Sequence, residues 1–218
     1  MEVDLRKRSF AEHLVGESGR HRLVALPITV ALTTGLFVAM AVSIHDMRSL
    51  SLEVLLRWGA ASGSVEGEVW RVVTANFTHG GIKHLLGNMV VLYIVGSIVE
   101  GAFGSVAFAV IYLVSGTAGV TLAVIVDPDL VFVGASAAVY GCLGVVLIAT
   151  IRRWTSIEYK ARTSVFLRAT FVVAYGLIAS ALMPHVSGVG HIGGLVAGMI
   201  CGHFVVPKIQ RIDDSDRV

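Results

Sequence analysis

The run Gly190-His191-Ile192-Gly193-Gly194-Leu195-Val196-Ala197-Gly198-Met199-Ile200-Cys201-Gly202 carries glycine at every fourth position, 190, 194, 198 and 202. On a helix these four fall on one stripe. In an ordinary helix each glycine costs roughly 0.5–1 kcal/mol relative to alanine, so four in register require a compensating contact. The small-xxx-small stripe of membrane helices, where a second backbone approaches closely, supplies one. The flanking sequence agrees: residues 169–207, 39 in all, contain no Lys, Arg, Asp or Glu. That length accommodates two crossings of a hydrocarbon core about 30 Å thick, and Met183-Pro184 followed by Ser187-Gly188 marks the break between them.

The rest of the chain has the same character. Of the 218 residues 55% are hydrophobic and only 15% charged, with a mean hydropathy of +0.79. This composition belongs to an integral membrane protein rather than a soluble domain. The net charge of +2 and the lack of any basic run interleaved with aromatics exclude a nucleic-acid partner. Cys142 and Cys201 lie in apolar segments among Gly, Val and Ile, and read as small buried hydrophobes. No metal or organic cofactor is expected.

Charged residues punctuate the chain into six spans, at about 23–44, 84–99, 106–126, 135–151, 165–183 and 188–206. An arm of 22 polar and basic residues precedes the first and shows no small-residue cleavage site, so that span reads as an anchor helix, not a removable signal. The expected organisation is an arm at 1–22, a six-helix all-α membrane domain at 23–206 and a tail at 207–218. Thirteen of the 17 Lys and Arg fall in the arm, in the segment joining spans four and five together with the foot of span five, and in the tail. The positive-inside rule then puts both termini in the cytoplasm of a multi-pass cell-membrane protein. The long loop from His45 to Lys83 lies outside, with Arg57-Trp58 and Trp70-Arg71 suited to the headgroup level.

Spans four and six both start at the outer face. Gly134-Ala135-Ser136-Ala137-Ala138-Val139-Tyr140-Gly141 opens one, and the glycine stripe with His191 opens the other. Ser136 and His191 thus share a depth, each one residue from a small-residue seam, Ala137, Gly141 and Gly144 answering the stripe on span six. A hydroxyl and an imidazole kept in a bilayer are costly unless used, and together they read as a nucleophile and its base. The bland alternative is that the glycines serve helix association alone. On span two, His84 and Asn88 are four residues apart and share a face. With the backbone N–H of Ser136 they form a set of donors suited to an oxyanion; interhelical hydrogen bonding that glues the bundle is the other reading. No carboxylate falls inside any of the six spans as drawn, which leaves a Ser-His dyad in place of a triad. A small transporter fits the composition as well, but it calls for charged residues along a path through the bundle, and spans one to four and six show none.

Trp70-Arg71, His79, His84, Asn88, Gly134-Ala135-Ser136, Tyr140, His191, Gly194 and Gly198, in that order over roughly residues 23–206, resemble the signature of the rhomboid intramembrane serine proteases. The resemblance implies Ser136 as nucleophile, His191 as general base with Tyr140 stacked near its ring, and His84, Asn88 and the Ser136 amide as oxyanion donors. It also implies that Gly134, Trp70 and Arg71 support the site, that span five is a lateral gate, and that single-span transmembrane proteins are the substrates. A catalytically inactive relative that binds transmembrane segments is the alternative within the family. One position departs from the family pattern: Ala137 follows the nucleophile, where glycine is usual.

Overall fold

The structure is a computed structural model describing residues 21–63, 67–152, 159–182 and 187–205. Its helices are α1 (Ala25–Ile44), α2 (Leu52–Arg57), α3 (Arg71–Thr74), α4 (Ile82–Phe103), α5 (Ser105–Val126), α6 (Ser136–Arg152), α7 (Tyr159–Leu182) and α8 (Gly188–Val205). The described residues contain no strand, only one antiparallel bridge between Ala61 and Phe132. Helices α1, α4, α5 and α8 are each long and apolar enough to cross a membrane. Helix α6 and the stretch Phe166–Gly176 within α7 are shorter apolar segments of the same bundle.

Helix α8 shows why this is a membrane protein. Ile192, Val196, Ile200 and Phe204, one every four residues, are 50–80% exposed, while Gly190, Gly194, Gly198 and Gly202 are buried. The large apolar side chains face outward and the residues without side chains face inward. Water would penalise that arrangement, whereas lipid accepts it and rewards close backbone packing. The partner of the stripe is α6, as the sequence implied: a Cβ at Gly194 would overlap the Ala137 carbonyl, one at Gly198 the Gly141 carbonyl, and one at Gly144 the Leu195 carbonyl. Helix α5 joins the same seam through Gly119, which lies against Gly190, Gly193 and Gly194. Twelve of the 17 residues of α6 are buried, so this short helix forms the centre around which the others pack.

Helix α4 corrects one sequence expectation. Charge punctuation ended span two at Val99, but the helix runs on to Phe103 and carries Glu100 fully buried inside the bundle. The carboxylate accepts from the backbone N–H groups of Val24 (2.7 Å), Ala25 (2.7 Å) and Leu26 (2.8 Å) and from the Ser105 hydroxyl (2.5 Å). The unpaired amides at the start of α1 and the positive end of its dipole therefore stabilise a charge that was read as a boundary. Beyond it, Gly104 turns the chain directly from α4 into α5 at φ 85°, a left-handed conformation that favours glycine. The other boundaries shift modestly; α7 begins at Tyr159, earlier than the span expected at 165–183.

The segment between α1 and α4 is tied to the bundle by specific polar contacts. The Arg71 guanidinium donates to the carbonyls of Leu56 and Ala60, pairs with Glu68 and lies 4.6 Å from the Trp70 ring centroid. Thr74 Oγ1 donates to the Gly59 carbonyl (2.7 Å) and Thr78 Oγ1 to that of Trp58 (3.1 Å). The exit of α2 is thereby fixed against α3. The bridge of Ala61 with Phe132 then connects this segment to the strand-like approach to Ser136.

Candidate active site

The approach to Ser136 is built from backbone. The Gly134 N–H donates to the Ala75 carbonyl (2.9 Å) and the Ala135 N–H to Nε2 of His79 (3.4 Å). Gly134 holds φ 110°, and a Cβ there would sit 2.7 Å from Nε2 of His84, so glycine is required for both conformation and space. His79 Nδ1 lies 3.3 Å from the Phe77 carbonyl. These partners fix a neutral ring, with the proton on Nδ1 and Nε2 accepting. Burial, reinforced by neighbouring His84, pushes the His79 imidazole well below its usual range, which keeps it in this form. This segment then enters α6, whose first residue is Ser136. Every residue from 131 to 146 is buried except Ser136, which retains partial exposure.

His191 is set by the start of α8. Ser187 caps that helix, its hydroxyl accepting from the Gly190 N–H (3.1 Å) while its carbonyl accepts from the His191 N–H (3.1 Å). The imidazole is 5% exposed and stacks on the Tyr140 ring with centroids 4.4 Å apart and planes 3° from parallel. Its Nε2 is buried and makes no hydrogen bond among the described residues.

Ser136, His191, Tyr140, His84 and Asn88 line one cavity. Asn88 Nδ2 donates to the carbonyl of His84, one turn earlier (3.0 Å), which orients the amide and leaves its second N–H available. The remaining wall consists of Val91, Val139 and, from α7, Val172, Tyr175 and Gly176. Gly134 stands behind His84. Trp70 and Arg71 are not part of the cavity; Arg71 holds the loop between α1 and α4 through the Leu56 and Ala60 carbonyls.

Tyr175 was not singled out by sequence reasoning, and neither was its counterpart Gly87. A Cβ at Gly87 would overlap the Tyr175 hydroxyl, so the phenol of α7 occupies space that α4 leaves open one residue before Asn88. Its hydroxyl is buried without a hydrogen bond among the described residues. A lone tyrosine in an apolar stretch carries no signal of this pairing, because it depends on the relative placement of two helices. The methyl of Ala137 is accommodated because α5 presents Gly119 opposite: a Cβ there would lie 2.8 Å from that of Ala137. Met183, Pro184 and His185, at the break expected between spans five and six, lie outside the described residues, as do the side chains of Leu177 and Leu182.

Residues 66–208 match the family model described as the Rhomboid domain. Among curated proteins, the chain is similar to RHOMBOID-like protein 1 of Arabidopsis thaliana, 34% identical over 165 residues that make up 74% of this chain and 41% of that protein. It is also similar to Rhomboid protease GluP of Bacillus subtilis (strain 168), 32% identical over 172 residues, 76% of this chain and 33% of that protein. Inactive RHOMBOID-like protein 8 of Arabidopsis thaliana is 28% identical over 188 residues, 84% of this chain and 53% of that protein. The chain spans less than half the length of the first of these relatives.

Proposed function

The chain belongs to the rhomboid family, and from that premise we propose that it is an intramembrane serine endopeptidase that cleaves single-span membrane proteins with a Ser136–His191 dyad. One observation carries the reading. In a wall otherwise buried from 131 to 146, only Ser136 retains exposure, and it opens on the cavity shared with the unpartnered His191 Nε2. His191 takes the proton from Ser136 Oγ as the oxygen attacks the scissile carbonyl, and returns it to the leaving amine. Water then hydrolyses the acyl-enzyme through the same base. The oxyanion receives the Ser136 N–H at the positive end of α6, the free N–H of Asn88 and the His84 ring. Tyr140 fixes the plane of the imidazole by stacking. A purified sample incubated with single-span substrates, alongside labelling by a serine-reactive fluorophosphonate, tests this directly. Labelling at Ser136 with site-specific cleavage supports the protease, and absence of both favours an inactive rhomboid-like protein, a reading motivated by the inactive relative above.

Asn88→Ala is expected to slow cleavage roughly 10²-fold to 10³-fold, the usual effect of removing one oxyanion donor. Labelling and cleavage rates, each normalised to thermal stability, check it. A loss of activity that merely follows a loss of stability would return Asn88 to a packing role.

Substrate access is assigned to the α4–α7 face. Among residues with described side chains, α7 meets the bundle chiefly through Val172, Tyr175 and Gly176, with the Tyr140 hydroxyl donating to the Val172 carbonyl (3.3 Å). Removing a half-buried phenol loosens this contact by about 1 kcal/mol, so Tyr175→Ala is expected to raise cleavage of a transmembrane substrate about fivefold. The reaction with a small soluble probe should change little. Equal changes for both would point to a disturbed dyad.

We further propose six spans with both termini cytoplasmic in the cell membrane, supported by the distribution of 13 of 17 basic residues. Asp129, exposed in the loop before Ser136, is then extracytoplasmic. A cysteine placed there in a Cys201→Ser background should react with an impermeant thiol reagent in intact cells. Labelling only after permeabilisation would invert the topology.

A further inference from the structure

Toward the Arg152 end of the bundle, α4 and α7 part to form a second groove, outside the active-site cavity. It is lined by Tyr93, Ile94 and Ser97 from α4 and by Leu167, Arg168 and Phe171 from α7. Arg168 lies seven residues before Tyr175, which places it about 10 Å further toward that end. It is the tenth residue of α7, beyond Lys160 and Arg162 in the first turn, and no charge follows it on the helix. Leu167 is 67% exposed and Tyr93 60%, so the groove opens sideways to lipid.

A guanidinium at this depth, next to hydrocarbon, requires an anion. Among the described residues none is provided: Arg168 makes no ion pair or hydrogen bond there, and Glu100, three residues beyond Ser97 on α4, is fully committed to α1 and Ser105. The planar fork of arginine matches the oxygens of a phosphate, and the Ser97 hydroxyl across the groove adds a second donor. Closer to the middle of the bilayer the walls become aromatic and aliphatic, through Tyr93, Ile94 and Phe171. Charged head and apolar walls therefore follow one another in the order in which a phospholipid enters its leaflet. The same end of the bundle carries Arg22 and Arg152, whose positive field enriches anionic over zwitterionic lipid.

We propose that this groove is a binding site for one anionic phospholipid of the leaflet at the Arg152 end, its phosphate held by Arg168 and Ser97 and an acyl chain lying along Tyr93, Ile94 and Phe171. The full chain, reconstituted in phosphatidylcholine containing phosphatidylglycerol and released into a neutral detergent, allows retained lipid to be counted by native mass spectrometry. Wild type is expected to retain one phosphatidylglycerol in preference to phosphatidylcholine. Arg168→Gln is expected to reduce that retention about fivefold, the effect of one basic group on anionic lipid, whereas Arg22→Gln, an exposed cation at the same end, should not. Equal retention by Arg168→Gln and wild type would overturn the proposal. So would equal retention of the neutral lipid, a matching loss in Arg22→Gln, or displacement of the lipid by a single-span peptide irrespective of lipid charge. None of these readouts depends on proteolysis.

Discussion

Ser136→Ala is expected to abolish cleavage, by a factor of 10³ or more, while the protein inserts, purifies and unfolds at the wild-type temperature. The magnitude follows from the chemistry. Without a nucleophilic oxygen there is no acyl-enzyme, and oxyanion donors and substrate positioning alone leave only the residual catalysis seen when a member of such a catalytic unit is deleted. Stability should change little because Ser136 is the one position between 131 and 146 that is not buried. His191→Ala should lose comparable activity, and the double variant no more than either single one, because the pair acts as a unit. That variant also removes a ring stacked on Tyr140, so the serine variant is the cleaner measurement. Turnover retained in Ser136→Ala would end the serine-protease reading.

The legibility of this molecule from sequence depended on how local the physics was. The glycine stripe of α8 was readable because helical periodicity alone puts residues 190, 194, 198 and 202 on one face, and the partner seam on α6 followed from equal depth. Ser136, His191, His84 and Asn88 stood out because polar groups in apolar runs need a reason to be there. Pairings between helices were not readable. Gly119, which completes the seam from α5 and makes room for the Ala137 methyl, is one of many glycines until the helices are placed. Tyr175 over Gly87 is the same kind of contact. His79 was visible only as a motif member; its role as acceptor for the Ala135 N–H depends on a loop fold that periodicity does not describe. Glu100 was misjudged for a different reason. Hydropathy treats a carboxylate as a span boundary, but the cost of burying it depends on partners, and those partners lie some 75 residues away in sequence.

That carboxylate sets the largest expected effect on stability. Glu100→Gln preserves side-chain volume but replaces two anionic oxygens with one neutral oxygen and an NH2 group. The three backbone N–H groups of Val24, Ala25 and Leu26 and the Ser105 hydroxyl then compete for one acceptor. The amide nitrogen, a donor, meets further donors. Removing one side of a buried, charge-assisted arrangement costs about 3–5 kcal/mol, which for a chain of this size corresponds to a drop of roughly 10 °C in unfolding temperature. Glu100→Asp keeps the charge but falls one methylene short of α1, so it should lie between wild type and Gln. The effect is on anchoring rather than chemistry. Glu100 is sixteen residues along α4 from His84, about 24 Å from the active-site end of that helix, so serine-probe labelling per folded molecule should stay at the wild-type rate well below the transition. Thermal unfolding in detergent with parallel labelling separates the two. An unfolding temperature within a degree or two of wild type would mean that water, not Glu100, satisfies the start of α1. Slowed labelling in the folded protein would mean instead that the α1–α4 junction reaches the dyad.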